Sequence, residues 1–272
     1  MKKIALITLA ALLVVSLGCY YADEASDTAT ETYPADLYNR VEIETGNGEI
    51  TSSVSSDSLI TITLTKWVTG PSAKAHLDDI DVSVTKDTVN GTLRVSVTIP
   101  ISTVRNYGCD ADIELPASIY VDLETSNGKM RAAGHQNSLR LVTSNGEIDI
   151  AKTAGEADLF TSNGDIGVDR HAGDITGETA NGEVTADVIM PVKDGTCRFI
   201  SSNGAITVAV PDSVSANIYL KTSNGEISVD ADLHTQGDYN SDEDIYESTM
   251  GDASGEIDLE TSNGNVSLKK LE

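Results

Sequence analysis

Residues 143–148 read Thr143-Ser144-Asn145-Gly146-Glu147-Ile148, and the chain writes nearly the same six residues eight times. The asparagines of these copies stand at Asn47, Asn127, Asn145, Asn163, Asn181, Asn203, Asn224 and Asn263. From Asn127 onward the steps are 18, 18, 18, 22, 21 and 39 residues, the last close to two periods with one signature missing. A fixed period of about 20 residues marks a solenoid or an array before any local propensity is consulted.

The flanks of each asparagine obey one rule. Six and four residues before it stand apolar pairs such as Val121 and Leu123, Leu139 and Leu141, Cys197 and Phe199, Ile257 and Leu259. Three and five residues after it stand Met130 and Ala132, Ile148 and Ile150, Ile166 and Val168, Val266 and Leu268. The positions between are mostly acidic or polar, so each repeat reads as two half-buried strands joined at an Asn-Gly corner. Gly177 is the one clear gap in the inward set. Asn and Gly tolerate the positive φ that a sharp reversal needs. The Thr or Ser two residues before each Asn shares the parity of the apolar set, so it points inward, where its hydroxyl can satisfy backbone groups at the bend. A second corner follows about nine residues later, at Ala154-Gly155 and Ala172-Gly173.

Parity alone fits two architectures. In a β-solenoid each strand pairs in parallel with its counterpart one coil along. In an antiparallel meander the Asn-Gly pair is a hairpin turn, and the same residues share one face. Near-identical corners gain by stacking on one another only in the solenoid. The favoured fold is therefore all-β: a single-domain parallel β-solenoid with 18–22 residues per coil and one short helix near its N-terminal end. That helix is expected at Pro71–Asp79, with Pro near its start, where it would cover the first coil's edge.

Four segments are expected. Residues 1–18 form a leader: two lysines, then an apolar run too short to span a bilayer. Ser16-Leu17-Gly18-Cys19 resembles the bacterial lipobox, which implies cleavage before Cys19 and lipidation of its thiol. Residues 19–37, acidic and aperiodic, read as a flexible tether. Residues 38–120 read as an irregular β part of the solenoid, with Asn90-Gly91 a degenerate ninth corner, and residues 121–272 as its regular part. Residues 232–255 interrupt the period and read as a long loop or one irregular coil. Tyr20 follows Cys19 in place of aspartate, which by resemblance to sorted lipoproteins implies an outer-membrane address in a cell with two membranes.

Charge narrows the partners. The formal net charge is −25, and −27 once Lys2 and Lys3 leave with the leader. Nucleic acid is a poor partner, because phosphate binding requires clustered Lys and Arg. Aromatics make up only 4% of residues, so a compact core of large rings is excluded, whereas coils need few. The sharpest cation candidate is Asp238, Asn240, Asp242 and Asp244, oxygen ligands at alternate positions that suit calcium. Glu243 stands where an EF-hand requires Gly, however, and helical flanks are missing. Outward Glu147, Asp165 and Glu183 form a second candidate row. Cys197 has inward parity; export permits a Cys109–Cys197 disulfide, although the spacing does not demand one. His76, His135, His171 and His234 are scattered and no catalytic constellation stands out, so no enzyme is expected.

The irregular strand-rich start with a short helix, the segments VTIPIS and IELPASIYVDLETSNGKM, and the tandem TSNGEI coils resemble a bacterial family of β-strand repeats that carries the adhesin label, the DUF4097 type. The resemblance covers about residues 38 to 270. It implies a β-solenoid displayed in the cell envelope, with no catalytic residues to transfer. The expected function is a lipid-anchored, non-catalytic binding or structural module, facing a polysaccharide or an envelope protein. An accessory of an envelope-stress signalling system is the alternative, and a polysaccharide-active enzyme a more remote one.

Overall fold

The computed structural model describes residues 23–189, 194–240 and 244–272, with residues 237–240 described through their backbone alone. The chain opens with β1 (Glu24–Pro34), β2 (Arg40–Thr45), β3 (Ile50–Val54), β4 (Leu59–Thr69), β5 (Asp81–Asp87), β6 (Thr92–Thr98) and β7 (Asn106–Leu115). The regular coils follow as β8 (Tyr120–Asn127), β9 (Met130–Ala133), β10 (Leu139–Asn145), β11 (Ile148–Ala151), β12 (Ala157–Asn163), β13 (Ile166–Ala172), β14 (Ile175–Asn181), β15 (Val184–Ile189), β16 (Thr196–Asn203), β17 (Ile206–Val210), β18 (Ala216–Asn224) and β19 (Ile227–Val229). Last come β20 (Gln236–Asn240), β21 (Ile245–Met250), β22 (Gly255–Asn263) and β23 (Val266–Lys270).

The strands form two facing sheets. The first runs β1-β4-β7-β3-β9-β11-β13-β15-β17-β23-β19, the second β20-β21-β18-β22-β16-β14-β12-β10-β8-β2-β6-β5. Regular coils pair in parallel and in register: Asn145 faces Asn127 on one side and Asn163 on the other. The solenoid is therefore the fold, and the meander is excluded for these coils. Period-two alternation places Val121, Leu123, Leu141, Ile148, Leu159 and Ile166 between the sheets, each at most 1% exposed. Gly177 leaves no void, because Phe199, its register partner one coil along, fills the space. A Cβ on Gly177 would meet the Phe199 ring at 2.5 Å.

The structure departs from the sequence reading in several places and bears out the short helix near the N-terminal end. Residues 24–34, expected within a flexible tether, form β1, paired antiparallel to β4 over its whole length. Their threonines explain this: Thr28 and Thr30 meet Thr65 and Thr63 hydroxyl to hydroxyl at 3.1 and 3.0 Å, and β-branched residues suit a pleated edge. The expected helix is a 3₁₀ helix, Ala73–Asp79, entered through Ser72 at φ 57° and packed on β1 and β4. Asn90-Gly91 is no coil corner but the turn of the antiparallel β5–β6 hairpin, with Gly91 at φ 72°.

The other two departures concern the C-terminal end. The 39-residue step hides no degenerate coil. The chain passes through the β20–β21 hairpin, antiparallel to β18, and β22–β23 then inserts between β16–β17 and β18–β19. Residues 232–255 are thus mostly hairpin rather than loop. The N-terminal end repeats the device: β2–β3, the first coil in sequence, lies between β6–β7 and β8–β9.

Candidate functional site

Three surfaces carry the molecule's polar chemistry. The first is the corner edge, where the asparagine side chains form a continuous amide ladder. Each Nδ2 donates to the Oδ1 of the asparagine one coil nearer the N-terminal end, at 2.8–3.0 Å, from Asn145→Asn127 through Asn163, Asn181, Asn203 and Asn263 to Asn224. Asn47 continues the line in space but donates to the Tyr107 carbonyl instead, at 2.8 Å. Behind the ladder the buried hydroxyls of Thr143, Thr161, Thr179 and Thr261 each donate to a corner glycine carbonyl of the preceding coil, at 2.9–3.3 Å.

The glycines are required by space more than by φ. A Cβ on Gly146, Gly164, Gly182 or Gly204 would lie 1.9–2.0 Å from the neighbouring glycine carbonyl, while Gly128 and Gly264 also hold φ of 157° and 149°. None of the ladder asparagines adopts positive φ, contrary to the expectation for this corner. Residues of that kind occur at the second corner instead, at Lys152 and Arg170 (φ 53° and 57°).

The second surface is the outer face of the β8–β22 sheet. Asp122 accepts from Arg40 at 2.6 Å and from Arg140 at 3.0 Å, Arg94 pairs with Glu42, and the Arg40 guanidinium lies over the Tyr120 ring at 4.7 Å. Farther along, Arg198 holds Asp258 at 2.9 Å. Half-buried Val142 and Phe160 sit side by side on this face.

The third surface is an open cleft of about 740 Å³ at the C-terminal end of the rod. It is lined by Thr196, Asn217, Tyr219, Gln236, Glu247 and Glu256, contributed by β16, β18, β22 and the hairpin. Tyr219 and Glu247 are register partners across β18 and β21. A tyrosine ring flanked by amides, a hydroxyl and carboxylates suits a polar, hydroxyl-rich ligand, which needs both a flat apolar surface and donors and acceptors.

The remaining sequence candidates fall elsewhere. Cys19 and Asp242 lie outside the described residues. Asp238 and Asn240 are described only as backbone of β20, and Asp244 lies just before β21 at φ 51°. In the outward acidic row Lys129 bridges Glu147 and Asp149 at 2.7 and 2.5 Å, and Asp165 accepts the Glu183 amide at 2.7 Å. Among the described residues, no three His, Cys, Asp or Glu side chains converge as metal ligands. Cys109 and Cys197 are both free and buried. They stand in coils six strand spacings apart, about 29 Å at ~4.8 Å per spacing, so they do not pair. Burial pushes the Cys109 thiol up to about 11 and raises that of Cys197 further.

Two buried groups were missed. His135 and His171 are both 0% exposed, two coils apart, with Thr153 in the coil between them. His135 Nε2 meets Ser52 Oγ at 3.1 Å, and its Nδ1 has no partner; His171 Nδ1 meets Thr153 Oγ1 at 2.9 Å. Desolvation holds both imidazoles below the usual histidine pKa. Their separation of 36 residues, twice the 18-residue period, was the signal. Closed to solvent, these pairs serve the core.

Comparison with known proteins adds a family. The model described as Toastrack DUF4097 matches residues 28–269. No curated protein matches the chain. A solved structure titled a "putative cell adhesion protein" from Clostridium sporogenes is 14% identical, covering 91% of this chain and 100% of its own, with a TM-score of 0.41. A "putative adhesin" from Bacteroides fragilis is 13% identical, covering 90% and 97%, with a TM-score of 0.47. A "putative lipid binding protein" from Parabacteroides distasonis is 13% identical over the same shares, with a TM-score of 0.31.

Proposed function

This chain belongs to the Toastrack DUF4097 family, and from that premise we propose that it is a non-catalytic binding module of the cell envelope, anchored by lipid at Cys19. In a cell with two membranes the anchor sits in the outer one. The ligand is a polysaccharide or an envelope protein, received in the cleft around Tyr219 and Glu247. One observation carries this reading: chain entry and cleft lie at opposite ends of the rod. Asp23 precedes β1, at one edge of the eleven-stranded sheet, whereas the cleft is built on β16, β22, β18 and the hairpin at the other end. Ten strand spacings of about 4.8 Å make the eleven-stranded sheet roughly 48 Å long, and β21 and β20 of the hairpin lie beyond the coil in which it ends. An anchor at one end therefore presents the cleft at a fixed distance from the membrane, held by the stiffness of stacked ladders.

The test is a glycan array probed with the chain from residue 20 onward, as wild type and as Tyr219→Ala. Selective binding that the substitution abolishes supports the cleft; equal binding by both chains, or binding to no glycan, removes the polysaccharide form of the proposal. Calcium is the added variable, because Asp238 and Asn240 stand on β20 and Asp244 just before β21, in the hairpin beside the cleft.

A further inference from the structure

The corner that follows β6 is not an Asn-Gly turn but the seven-residue loop 99–105, and its tip carries two bare aliphatic side chains. Ile101 is 104% exposed and Val104 is 63% exposed, although the coils offer inward positions for such residues. The loop is well ordered by its own bonds. The amides of Val104 and Arg105 both donate to Ser102 Oγ, at 3.2 and 3.1 Å, and Arg105 Nε donates to the Pro71 carbonyl at 2.8 Å. Gly70 passes so close that a Cβ there would meet the Val104 carbonyl at 2.7 Å. An apolar tip held out on a fixed base is a surface feature with an energetic cost in water, since exposed aliphatic area remains solvated.

The place where the chain enters the fold identifies the occupant. The Gly70 amide donates to the Asp23 carbonyl at 2.8 Å, and the Ser72 amide to Asp23 Oδ2 at 3.2 Å. Asp23 therefore sits against the same Gly70–Ser72 segment that braces the loop. Four residue steps separate Cys19 from Asp23, a reach of at most about 14 Å for any conformation of the chain. Because β1 is a strand and not a tether, no slack exists beyond those residues. A diacylated Cys19 brings this corner to the headgroups, and Ile101 and Val104 with it.

We propose that the 99–105 loop is a membrane-contacting element, in which Ile101 and Val104 insert among the headgroups and acyl chains of the bilayer that holds the anchor. Lipid chain and loop make two attachments, which fix the tilt of the rod where a single flexible attachment would leave it free. This inference rests on the anchor reading above. Every described strand lies within residues 24–270, so the chain beginning at Cys19 contains them all.

The experiment couples the chain from Cys19 onward, through that thiol, to a maleimide lipid in phosphatidylcholine vesicles whose acyl chains are brominated; Cys109 and Cys197 are buried and do not compete. Tryptophan is placed by Ile101→Trp, and as a control by Val89→Trp in the β5–β6 turn. Val89 is equally bare at 92% exposed but lies at the opposite end of β6. After subtraction of the Trp67 emission of the unsubstituted chain, the 101 probe is expected to lose most of its signal to the bromines and to shift blue, while the 89 probe keeps its signal. Equal emission from both probes overturns the proposal, and so does equal quenching of both, because contact is then not specific to this loop. Cys19→Ala in the full chain tests the anchor separately. Release from the membrane fraction supports it, and an unchanged membrane fraction overturns the anchor without touching the quenching result, which uses a synthetic attachment.

Discussion

In the middle of the rod, coil follows coil in chain order, so that β10 lies between β8 and β12, and β14 between β12 and β16. At each end the order breaks: the first coil in sequence is second in space, and so is the last when counted from the other end. Both regions keep the same inward parity, and the amide ladder runs on through the C-terminal end, whereas at the N-terminal end Asn47 donates to the Tyr107 carbonyl instead. The difference shows that the repeated signature specifies register and not neighbour. The corner signature alone does not choose a neighbour; that choice falls to contacts that do not repeat, such as Phe199 over Gly177 within the rod and others at its ends. Those contacts are the antiparallel additions, β1 and β4 at one end and the β20–β21 hairpin at the other, which also cover edges that stacked coils would otherwise expose.

Substitution at the corner glycines is the strongest way to break the comparison. Gly164→Ala, whose Cβ would meet the Gly146 carbonyl at 2.0 Å, is expected to cost ~4 kcal/mol or more, because the obstructing atom is backbone held from both sides. Gly91→Ala, in the terminal hairpin at φ 72°, meets only the Asn39 side chain and should cost about 1–2 kcal/mol. Urea unfolding of the two variants measures the gap; equal midpoints would mean that the stacked corners are not under the constraint described.

Phe199→Ala comes next, with an expected loss of ~3–5 kcal/mol for a fully buried ring. Gly177→Ala alone is also destabilising, whereas in the Phe199→Ala background it occupies vacated space, so the double-mutant cycle should give a coupling of ~1 kcal/mol or more. Strict additivity would refute the pairing of these two positions.

The buried imidazoles set an acid limit. With folded pKa values below the unfolded value of about 6.5, His135 and His171 are neutral in the fold, while the unfolded chain takes up their protons as pH falls below that value. Their contribution is intact above about pH 6.5 and is lost as pH falls toward the folded values, at ~1.4 kcal/mol per unit of depression. His171→Gln should flatten the dependence of the urea midpoint on pH below 6.5, and an unchanged slope would contradict the burial assigned to it.

Smaller effects grade the ladder by position. Asn163→Ala removes two donated bonds and one received and should cost ~1–2 kcal/mol; Asn224→Ala removes two donated bonds and none received and should cost about two-thirds of that. The smallest effect is expected from Arg140→Ala on the outer face: ~0.5 kcal/mol at low salt, vanishing in concentrated salt. Thermal unfolding at two ionic strengths checks it.

What could be read from residues 121–210 follows from the physics of a local code. Val121, Leu139 and Ala157 declare their face through spacing alone, and the inward threonines declare theirs through parity. Coil order was not legible, because the two copies around Asn224 and Asn263 are chemically equivalent neighbours for Asn203. The strand at residues 24–34 was hidden by composition: Asp27, Thr28, Ala29, Thr30 and Glu31 have the polarity of a linker and become a strand only against the threonines of β4. The cleft was not foreseeable, since Tyr219 and Glu247 meet only because that hairpin folds back.

The insertion of β22–β23 gives biosynthesis a direction to contend with. Residues 216–229 come before residues 255–270 in the chain, yet the later segment, not the earlier, lies against β16–β17. The last segment is thus a wedge, and the seat of β18–β19 is supplied by residues that follow them in the chain. A chain cut short before residue 255 lacks the layer against which β18–β19 rest, and with it Glu256 of the cleft.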